Sequence, residues 1–484
     1  MVADSPSIDR ATPGDTAGGA GDPKAAVAEV VARARAAMEA YENHDQTRVD
    51  DAVRALAWSI YKPENARMLA ELAVQDTGLG DVESKVIKNT RKTFGTLRDL
   101  LRAKTVGIIQ EDPERGLVKY AKPVGVVGAV CPSTNPAATP VNKAMMALKG
   151  GNAVIIAPSP AGAATTRRTV ELMREELKKS GHPEDLVQLL PAPVSKEMTQ
   201  EMMNQVDLAV VTGSQDNVKR AMQSGTVTVG VGAGNVPVII DSTADLDDAA
   251  EKICASKIFD NSTSCSSENA VIILDDVYED AIAALERAGG WRCSDEEREK
   301  VRNTLWQGGK LNRHVIAKPA PVLAEVFGLA KESAQRKFFM VEEVKVGGKH
   351  SFADEKLSLV LTIYRARDFD EAKAIVRQIL DVTGKGHSTG IHTKDMAHAR
   401  ELAAETDVVR VLVNQAHTFG NGGGFNNCLP FTLSMAGGTW AGNTLCDNLN
   451  YKCFINLTHL VSTIPEDKPS EEELFGPYWE RYGK

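Results

Sequence analysis

The sequence lacks several features that would assign the protein to a special class. It has no apolar run approaching the roughly 18 residues of a membrane-spanning helix, and it does not begin with a charged and then apolar secretory leader. We therefore expect neither a membrane partner nor export. The seven cysteines include no Cys-x-x-Cys pair, which argues against a disulfide framework or a zinc site and favours the reducing cytoplasm.

The charge balance argues against a further class of partner. The formal net charge of −9 is opposite to the basic footprint that nucleic-acid binding requires. The 484 residues, of which 43% are hydrophobic and 25% charged, have the composition of a globular protein with two or three domains. We therefore look for a small-molecule function.

The first residues differ in composition from the rest. Residues 1–23 are mostly Ala, Gly, Asp, Ser, Thr and Pro, which bury too little surface to offset the entropy of ordering, so we predict a disordered tail. From residue 24 to about residue 101, apolar stripes at helical spacing predict a series of helices.

Strands then alternate with helices. Apolar runs at residues 124–130, 153–157, 186–190 and 208–212 predict a parallel, doubly wound sheet, and a second α/β unit follows residue 241. Ligands of such sheets bind at the carboxyl ends of the strands. The fingerprint Gly-x-Gly-x-x-Gly is missing after the first strand, but Gly213 and Ser214 open a helix at a strand end, where they would hold a pyrophosphate or merely cap the helix. Residues 292–318 are charged and predicted helical.

One cysteine stands in a loop suited to catalysis. Cys265 lies in Phe-Asp-Asn-Ser-Thr-Ser-Cys-Ser-Ser-Glu (residues 259–268), between a predicted helix and an apolar strand. Small polar neighbours leave a thiol accessible, and local backbone donors would help it to form a thiolate that attacks a carbonyl. The alternative is a small buried thiol without chemistry.

Asn135 is a second candidate, in the loop after the first strand of the sheet. Its amide N–H groups would stabilise the oxyanion that forms when a thiolate attacks a carbonyl, together with the backbone N–H of Cys265. The alternative is that Asn135 only serves the turn before Pro136.

Four motifs together carry a resemblance: Pro132-Ser-Thr-Asn135, Gly230-Val-Gly-Ala-Gly-Asn-Val-Pro237, the Cys265 loop and Gly384-Lys-Gly-His387. In this order they resemble the CoA-acylating branch of the aldehyde dehydrogenase superfamily, over residues 25–463. Within that branch the chain is similar to the sulfoacetaldehyde, succinate-semialdehyde and propionaldehyde enzymes.

The resemblance implies a fold: α/β, with two doubly wound α/β domains and a β oligomerisation arm. It implies a nucleotide-binding domain over residues 24–243, with residues 105–121 contributing to the arm, a catalytic thiol domain over residues 244–440, and a return segment over residues 441–484. That segment would hold an arm strand at 451–463 and a C-terminal tail. The arm implies a homo-oligomer, a dimer or tetramer.

The resemblance also implies site residues. Residues expected to bind NAD or NADP are Pro132, Ser133, Thr134, Ala157, Pro158, Ser159, Gly213, Ser214, Val231, Gly232, Glu355 and Leu357. Residues expected in the substrate pocket are Ser264, Ser266, His387 and Thr418. A surface Glu is the alternative for Glu355, and His387 would line the pocket, orient its loop or act as a base. The family's usual Lys and ribose-binding Glu after the second strand are replaced by Ala157-Pro-Ser-Pro160, which leaves NAD against NADP open.

A missing carboxylate indicates the reaction. Hydrolytic aldehyde dehydrogenases carry a Glu that activates water where this chain has Gly230-Val-Gly-Ala. Without a positioned base, water attacks a thioester slowly, so the expected acyl acceptor is coenzyme A and the substrate a small aldehyde. Two alternatives stay open: a hydrolytic enzyme with another base, and a dehydrogenase fold with a structural role in a bacterial microcompartment. A microcompartment targeting signal in the N-terminal tail is also possible, although the first ten residues have no amphipathic stripe.

Overall fold

The computed structural model describes residues 22–41, 44–348 and 351–484. The predicted disordered tail and any targeting signal in residues 1–21 therefore lie outside the described residues. The last two residues of the predicted tail begin the first helix. The Asp22 carboxylate accepts a hydrogen bond from the Lys24 N–H, and Pro23 is the first helical residue, a position that needs no N–H donor.

The helical opening consists of α1 (Pro23–Ala40), α2 (Gln46–Tyr61), α3 (Pro63–Thr77), α4 (Val82–Ile87) and α5 (Thr93–Leu101). A π-helical turn, Lys88–Lys92, joins α4 to α5. The predicted apolar stripe of α2 is buried through Val53, Leu56 and Ile60. Buried residues of α1, α2, α3 and α5 belong to one hydrophobic core with the first parallel sheet, which follows.

The hairpin β1 (Gly107–Asp112) and β2 (Leu117–Pro123) follows, and it pairs with the late strand β17 in an antiparallel sheet of order β1-β2-β17. The chain then builds the first parallel sheet from β3 (Val126–Val130), α6 (Ala138–Lys149), β4 (Ala153–Ala157), α7 (Ala163–Lys179), β5 (Val187–Leu189), α8 (Lys196–Gln205), β6 (Leu208–Thr212), α9 (Gln215–Met222) and β7 (Val227–Val231). Its order is β5-β4-β3-β6-β7. Strands β3 and β4 are buried throughout, as continuous apolar runs require.

A second parallel sheet begins at β8. Its elements are β8 (Val236–Ile240), α10 (Leu246–Ile258), β9 (Glu268–Leu274), α11 (Tyr278–Ala288), β10 (Gly290–Arg292), α12 (Asp295–Leu305), β11 (Trp306–Gln307), β12 (Lys310–Leu311), α13 (Ala320–Phe327), β13 (Phe338–Glu342), β14 (Val360–Ala366), α14 (Phe369–Val382), β15 (Gly386–His392), α15 (Met396–Glu405), β16 (Val408–Val413) and α16 (His417–Gly420). The order is β10-β13-β14-β9-β8-β15-β16, with β11 and β12 apart as a small hairpin. The chain ends with β17 (Ile455–Val461) and α17 (Glu471–Tyr482). The predicted α/β class with parallel sheets is confirmed.

One predicted helix is shorter than expected. Residues 292–318 were predicted helical from their charge, but α12 ends at Leu305, and Trp306–Gln307 pairs antiparallel with Lys310–Leu311. Between them Gly308 and Gly309 both have positive φ, at 57° and 78°, the conformation that a tight hairpin turn needs. The helix prediction was wrong there because the two glycines end the helix.

Two expectations from composition can be compared with the fold. All seven cysteines are free, as the absence of paired spacings predicted. Among the described residues, no helix is both long enough and apolar enough to cross a membrane.

Candidate active site

A cleft of about 460 Å³ lies where the two parallel sheets meet. The first sheet contributes the loops that follow β3, β6 and β7. The second sheet contributes the Cys265 loop, which enters β9. The π-helical turn after α4 and the segment after α16 complete the wall. The site thus lies at the carboxyl ends of β3, β6 and β7, as expected for doubly wound sheets.

The Cys265 loop begins with an unusual backbone. Asp260, Asn261 and Ser262 have φ of 52°, 50° and 64°, a left-handed conformation that residues with a Cβ rarely adopt and that Asp and Asn tolerate best. This turn separates α10 from the loop. Three consecutive residues in this conformation require stabilisation from the surroundings.

Buried ion pairs supply that stabilisation. The Asp260 carboxylate is fully buried and accepts from Lys85 Nζ at 3.0 Å and Lys88 Nζ at 2.5 Å. It also accepts from the Thr263 hydroxyl at 2.7 Å and the Asp81 N–H at 2.9 Å. Although burial works against the charged form, the two ammonium groups hold the pKa of Asp260 below its ordinary value. The cluster ties the π-helical region to the residues immediately before the nucleophile.

The Cys265 thiol is protonated in the resting site. Burial first, and the Glu355 carboxylate second, raise the pKa of Cys265 to about 12, against smaller opposing effects of Arg410, Ser266 and the loop backbone. The local donors that the sequence led us to expect are present, but burial outweighs them. Glu355 is also affected: burial raises its pKa to about 8, although the Gly234 N–H stabilises the carboxylate.

Asn135 and Cys265 line the same cleft. Asn135 lies in the loop between β3 and α6, and within the described residues its Nδ2 makes only a long contact of 3.5 Å with the Thr134 hydroxyl. An amide held so loosely keeps N–H capacity for a ligand. The arrangement therefore fits an oxyanion donor better than a turn-forming residue whose amide is fully engaged.

Gly234 lies between Cys265 and His387. A Cβ at this position would be 2.4 Å from the Cys265 carbonyl oxygen and 2.8 Å from His387 Nε2, so only glycine fits. The loop from Gly230 to Pro237 therefore brings bare backbone against the nucleophile. No carboxylate belongs to it, as predicted from the sequence.

His387 lines a second cavity, of about 280 Å³, which shares Gln215, Gly232 and Ala233 with the cleft. Its Nδ1 contacts the Ser388 hydroxyl at 2.8 Å, and within the described chain its buried Nε2 has no hydrogen-bond partner. Burial, assisted by Arg410 and His417, holds the pKa of His387 well below its ordinary value. The ring is therefore neutral at pH 7, and one of its nitrogens can accept a hydrogen bond.

The residues around Gly213 fit a dinucleotide. Ser214 and Gln215 form the start of α9 on the cleft wall, and the first N–H groups of a helix have no intrahelical partner. A Cβ on Gly232 would be 2.3 Å from the Gln215 side chain, so the backbone there lies unusually close to α9. Donors and close backbone approach are what a pyrophosphate needs.

Most of the residues predicted for the site come together. Those that line the cleft are Pro132, Ser133, Thr134, Asn135, Gly213, Ser214, Gly232, Ser264, Cys265, Ser266, Glu355, Leu357 and Thr418. Ala157, Pro158 and Ser159 lie at the end of the neighbouring strand β4 and do not line it, and Val231 is buried as the last residue of β7. His387 belongs to the second cavity.

The sequence reasoning missed one wall. The π-helical turn contributes three cations to the cleft wall, Lys88, Arg91 and Lys92. The sequence predicts only a helix for this stretch. The signal was available, because cations at positions i, i+3 and i+4 share one face of a helix. Phe419 and Leu433 were also missed as wall residues.

Known proteins resemble the chain over most of its length. The aldehyde dehydrogenase family model matches residues 4–304. An acylating sulfoacetaldehyde dehydrogenase from Cupriavidus necator is 49% identical over 460 residues, covering 95% of this chain and 93% of that protein. An acetylating succinate-semialdehyde dehydrogenase from Clostridium kluyveri is 38% identical, covering 93% and 99%. The crystal structure of an acetylating aldehyde dehydrogenase from Geobacillus thermoglucosidasius matches with a TM-score of 0.88 at 32% identity, covering 93% and 98%.

The chain belongs to the aldehyde dehydrogenase family. The predicted resemblance and the predicted enzyme class, an oxidoreductase, are confirmed. Because the relatives named above are acylating or acetylating enzymes, the acylating branch of the family is the relevant comparison. The individual roles of the site residues stay predictions.

Proposed function

We propose that the protein oxidises a small aldehyde with NAD or NADP and transfers the acyl group to coenzyme A through a Cys265 thioester. The observation that carries the proposal is one cleft holding Cys265, Asn135 and a loop without a carboxylate. The similarity to acylating and acetylating relatives supports it.

The first half-reaction forms and oxidises a covalent adduct. The Cys265 sulfur attacks the aldehyde carbon as the thiol releases its proton to solvent, and the oxygen becomes an oxyanion held by Asn135 and the Cys265 N–H. The oxyanion then re-forms the carbonyl as a hydride leaves that carbon, which becomes a thioester on Cys265. A bound nicotinamide would supply the hydride acceptor.

The second half-reaction releases the product. The thiol of coenzyme A attacks the thioester carbon, the bond to Cys265 breaks, and acyl-CoA leaves. The proton of the incoming thiol can pass to the Cys265 sulfur that leaves, and His387, whose protonation is opposed by burial and by Arg410, lines the adjoining cavity. Overall, aldehyde, oxidised dinucleotide and coenzyme A give acyl-CoA, reduced dinucleotide and one proton.

The loop after β4 bears on the choice between NAD and NADP. Residues 157–160 carry neither a Lys nor a Glu, so the chain lacks the usual carboxylate that rejects a 2′-phosphate. We propose that either NAD or NADP binds with its pyrophosphate at Gly213 and Ser214 and its nicotinamide ribose at Glu355. The free cysteines support a cytoplasmic site of action, and the microcompartment stays a prediction.

The test is rapid mixing of enzyme, oxidised dinucleotide and aldehyde with and without coenzyme A. Without it we expect a burst of about one reduced dinucleotide per site and then a stall, because the acyl-enzyme accumulates. Adding coenzyme A should restart turnover and give acyl-CoA by mass spectrometry. A Cys265→Ala control should give no burst.

Rapid steady formation of the free acid without coenzyme A would overturn the acylating assignment in favour of a hydrolytic dehydrogenase. In that case Glu355, the ionisable carboxylate on the cleft wall beside Cys265, is the first residue to examine as the base. A chain that bound dinucleotide without forming any burst would instead favour a structural role.

A further inference from the structure

The cationic wall of the cleft has a function that the steps above leave open. Lys88, Arg91 and Lys92 all line the cleft that contains Cys265. Two of them already have partners: Lys88 pairs with Asp260, and Lys92 Nζ donates to the Gly422 carbonyl oxygen at 2.8 Å. Arg91 is the exception.

Among the described residues, the Arg91 guanidinium pairs with no carboxylate. Its Nε is buried and has no hydrogen-bond partner in the described part of the chain. Burial lowers the pKa of Arg91, and no carboxylate offsets that shift. A buried N–H donor without a partner is costly, and the rest of the half-buried side chain lines the cleft, which points to a ligand that completes the site.

Three aromatic rings hold the guanidinium in place. Its central carbon lies 5.9 Å from the ring centroid of Phe419, 5.1 Å from Phe425 and 5.7 Å from Phe431. Cation–π contact fixes the plane of the guanidinium but uses none of its N–H donors in conventional hydrogen bonds. A guanidinium held in this way presents its N–H donors in a fixed plane. That arrangement suits two oxygens of one anionic group.

We propose that Arg91 binds the anionic headgroup of the substrate, so that the enzyme acts on a short aldehyde carrying a sulfonate or carboxylate group. The proposal rests on the proposed function only in requiring that the aldehyde reach Cys265. Both groups present the shared chemistry, two or more oxygens with a negative charge. Arg91 and Cys265 line one cleft of about 460 Å³, so the headgroup and the aldehyde carbon of one small substrate can reach both residues.

A phosphate of the dinucleotide or of coenzyme A is the competing partner. The residues predicted to hold the dinucleotide belong to the loops after β3, β4, β6 and β7 and to the segment that enters β14, whereas the rings around Arg91 all belong to residues 419–431. Arg91 is therefore packed against a segment that contributes none of the predicted dinucleotide contacts.

The experiment compares kcat/KM for sulfoacetaldehyde, succinate semialdehyde and propanal in the wild type, Arg91→Met and Arg91→Lys. The ratio of kcat/KM for an anionic aldehyde to that for propanal should fall by about 100-fold or more in Arg91→Met, the scale for truncating one partner of a buried charge pair. The loss should appear mainly in KM for the anionic aldehyde, and Arg91→Lys should recover part of it. The two anionic substrates show whether sulfonate or carboxylate is preferred.

Arg98→Met is the matched control. Arg98 lies over the same Phe425 and Phe431 rings, at 5.2 and 5.0 Å, but it pairs with Asp99 and lines a different cavity. In Arg98→Met, the ratio of kcat/KM for an anionic aldehyde to that for propanal should stay close to the wild-type ratio. An equal fall in Arg98→Met would show that packing of the rings, and not the charge of Arg91, sets the preference.

Two further readouts keep the proposal falsifiable. In the wild type, ethanesulfonate should inhibit competitively against the aldehyde, and the uncharged 1-propanol should inhibit far less; equal inhibition would overturn the proposal. An unchanged ratio in Arg91→Met with a raised KM for coenzyme A or dinucleotide would assign Arg91 to a phosphate and also overturn it. The size of the burst without coenzyme A reports the aldehyde preference directly. The preference can therefore still be measured if the product proves not to be acyl-CoA.

Discussion

The Cys265 thiol and the Glu355 carboxylate share one environment, in which the charge of Glu355 opposes the ionisation of Cys265. Burial, and then the charge of Glu355, raises the pKa of Cys265 to about 12, while burial raises the pKa of Glu355 to about 8. At pH 7 the resting site therefore holds a protonated thiol and a largely protonated carboxyl group. Nucleophilicity must come from the bound reactants or from proton transfer as the bond forms.

A prediction at the residue scale follows from that coupling. Alkylation of Cys265 by iodoacetamide should be slow at pH 7 and should rise with pH beyond pH 9. In Glu355→Gln the rate between pH 8 and pH 10 should be higher than in the wild type, because removing a nearby negative charge lowers the pKa of a thiol.

The measurement is the pH dependence of the alkylation rate, followed by mass spectrometry of the Cys265 peptide. Below pH 8 the two proteins should differ less, since Glu355 is then mostly uncharged. A slower alkylation in Glu355→Gln across this range would contradict the electrostatic account and would indicate that Glu355 removes the thiol proton.

Residues that carry chemistry through their own type were the ones predictable from the sequence. A cysteine among small polar residues and an Asn after a buried strand can be found by inspection, and Cys265 and Asn135 indeed line one cleft. Arg91 was not found, because its meaning depends on three rings that lie more than three hundred residues away along the chain. A charged residue on a helix usually lies on the face that is exposed to solvent.

At the scale of elements, the turn before Cys265 is held by contacts between distant parts of the chain. Lys85 lies in α4 and Lys88 in the π-helical turn, whereas Asp260 follows α10 and has φ of 52°. Propensity arguments predict α10 and β9, because both have regular apolar patterns. They cannot predict the left-handed turn between them, since tertiary ion pairs stabilise it.

Asp260→Asn should destabilise the fold and misplace the nucleophile. Asn accepts the same backbone conformation, so the variant removes the charge while keeping the shape, and it leaves two buried ammonium groups without a counter-ion. We expect a loss of roughly 3–5 kcal/mol in the free energy of unfolding. The midpoint of urea unfolding reports the stability, and the Cys265 alkylation rate reports the loop.

Asp248→Asn provides the control on the helix that enters the same turn. Asp248 pairs with Lys252 one helical turn away on α10, and the two side chains are 46% and 33% exposed. Such a surface pair contributes at most about 1 kcal/mol, so both readouts should stay close to the wild type. Equal effects of the two substitutions would contradict the specific role of the buried cluster.

At the scale of the whole molecule, the sequence predicts that the chain forms parallel α/β sheets. For the arm it predicts the strands but not how they pair. Strand β2 pairs with β17, more than three hundred residues later. The residues of neither strand identify the strand with which it pairs. The resulting sheet exposes Leu457 and Val461, at 45% and 69%, on β17, whose residues after Ile455 are all exposed. An exposed apolar edge strand is normally covered in a native assembly.

We propose that the arm pairs with a second copy of the chain, as the resemblance to the family led us to expect. Sedimentation equilibrium of the wild type should give a multiple of the chain mass of 52.1 kDa. The double variant Leu457→Glu/Val461→Glu should shift the mass toward one chain, because two residues of even separation share one face of a strand and charges there oppose burial. Thr458→Glu, an exposed residue on the opposite face of β17, should leave the mass unchanged if only one face is covered. A wild type that sediments as a single chain at micromolar concentration, or a double variant with unchanged mass, would contradict the pairing, and the apolar strand would then need a different partner.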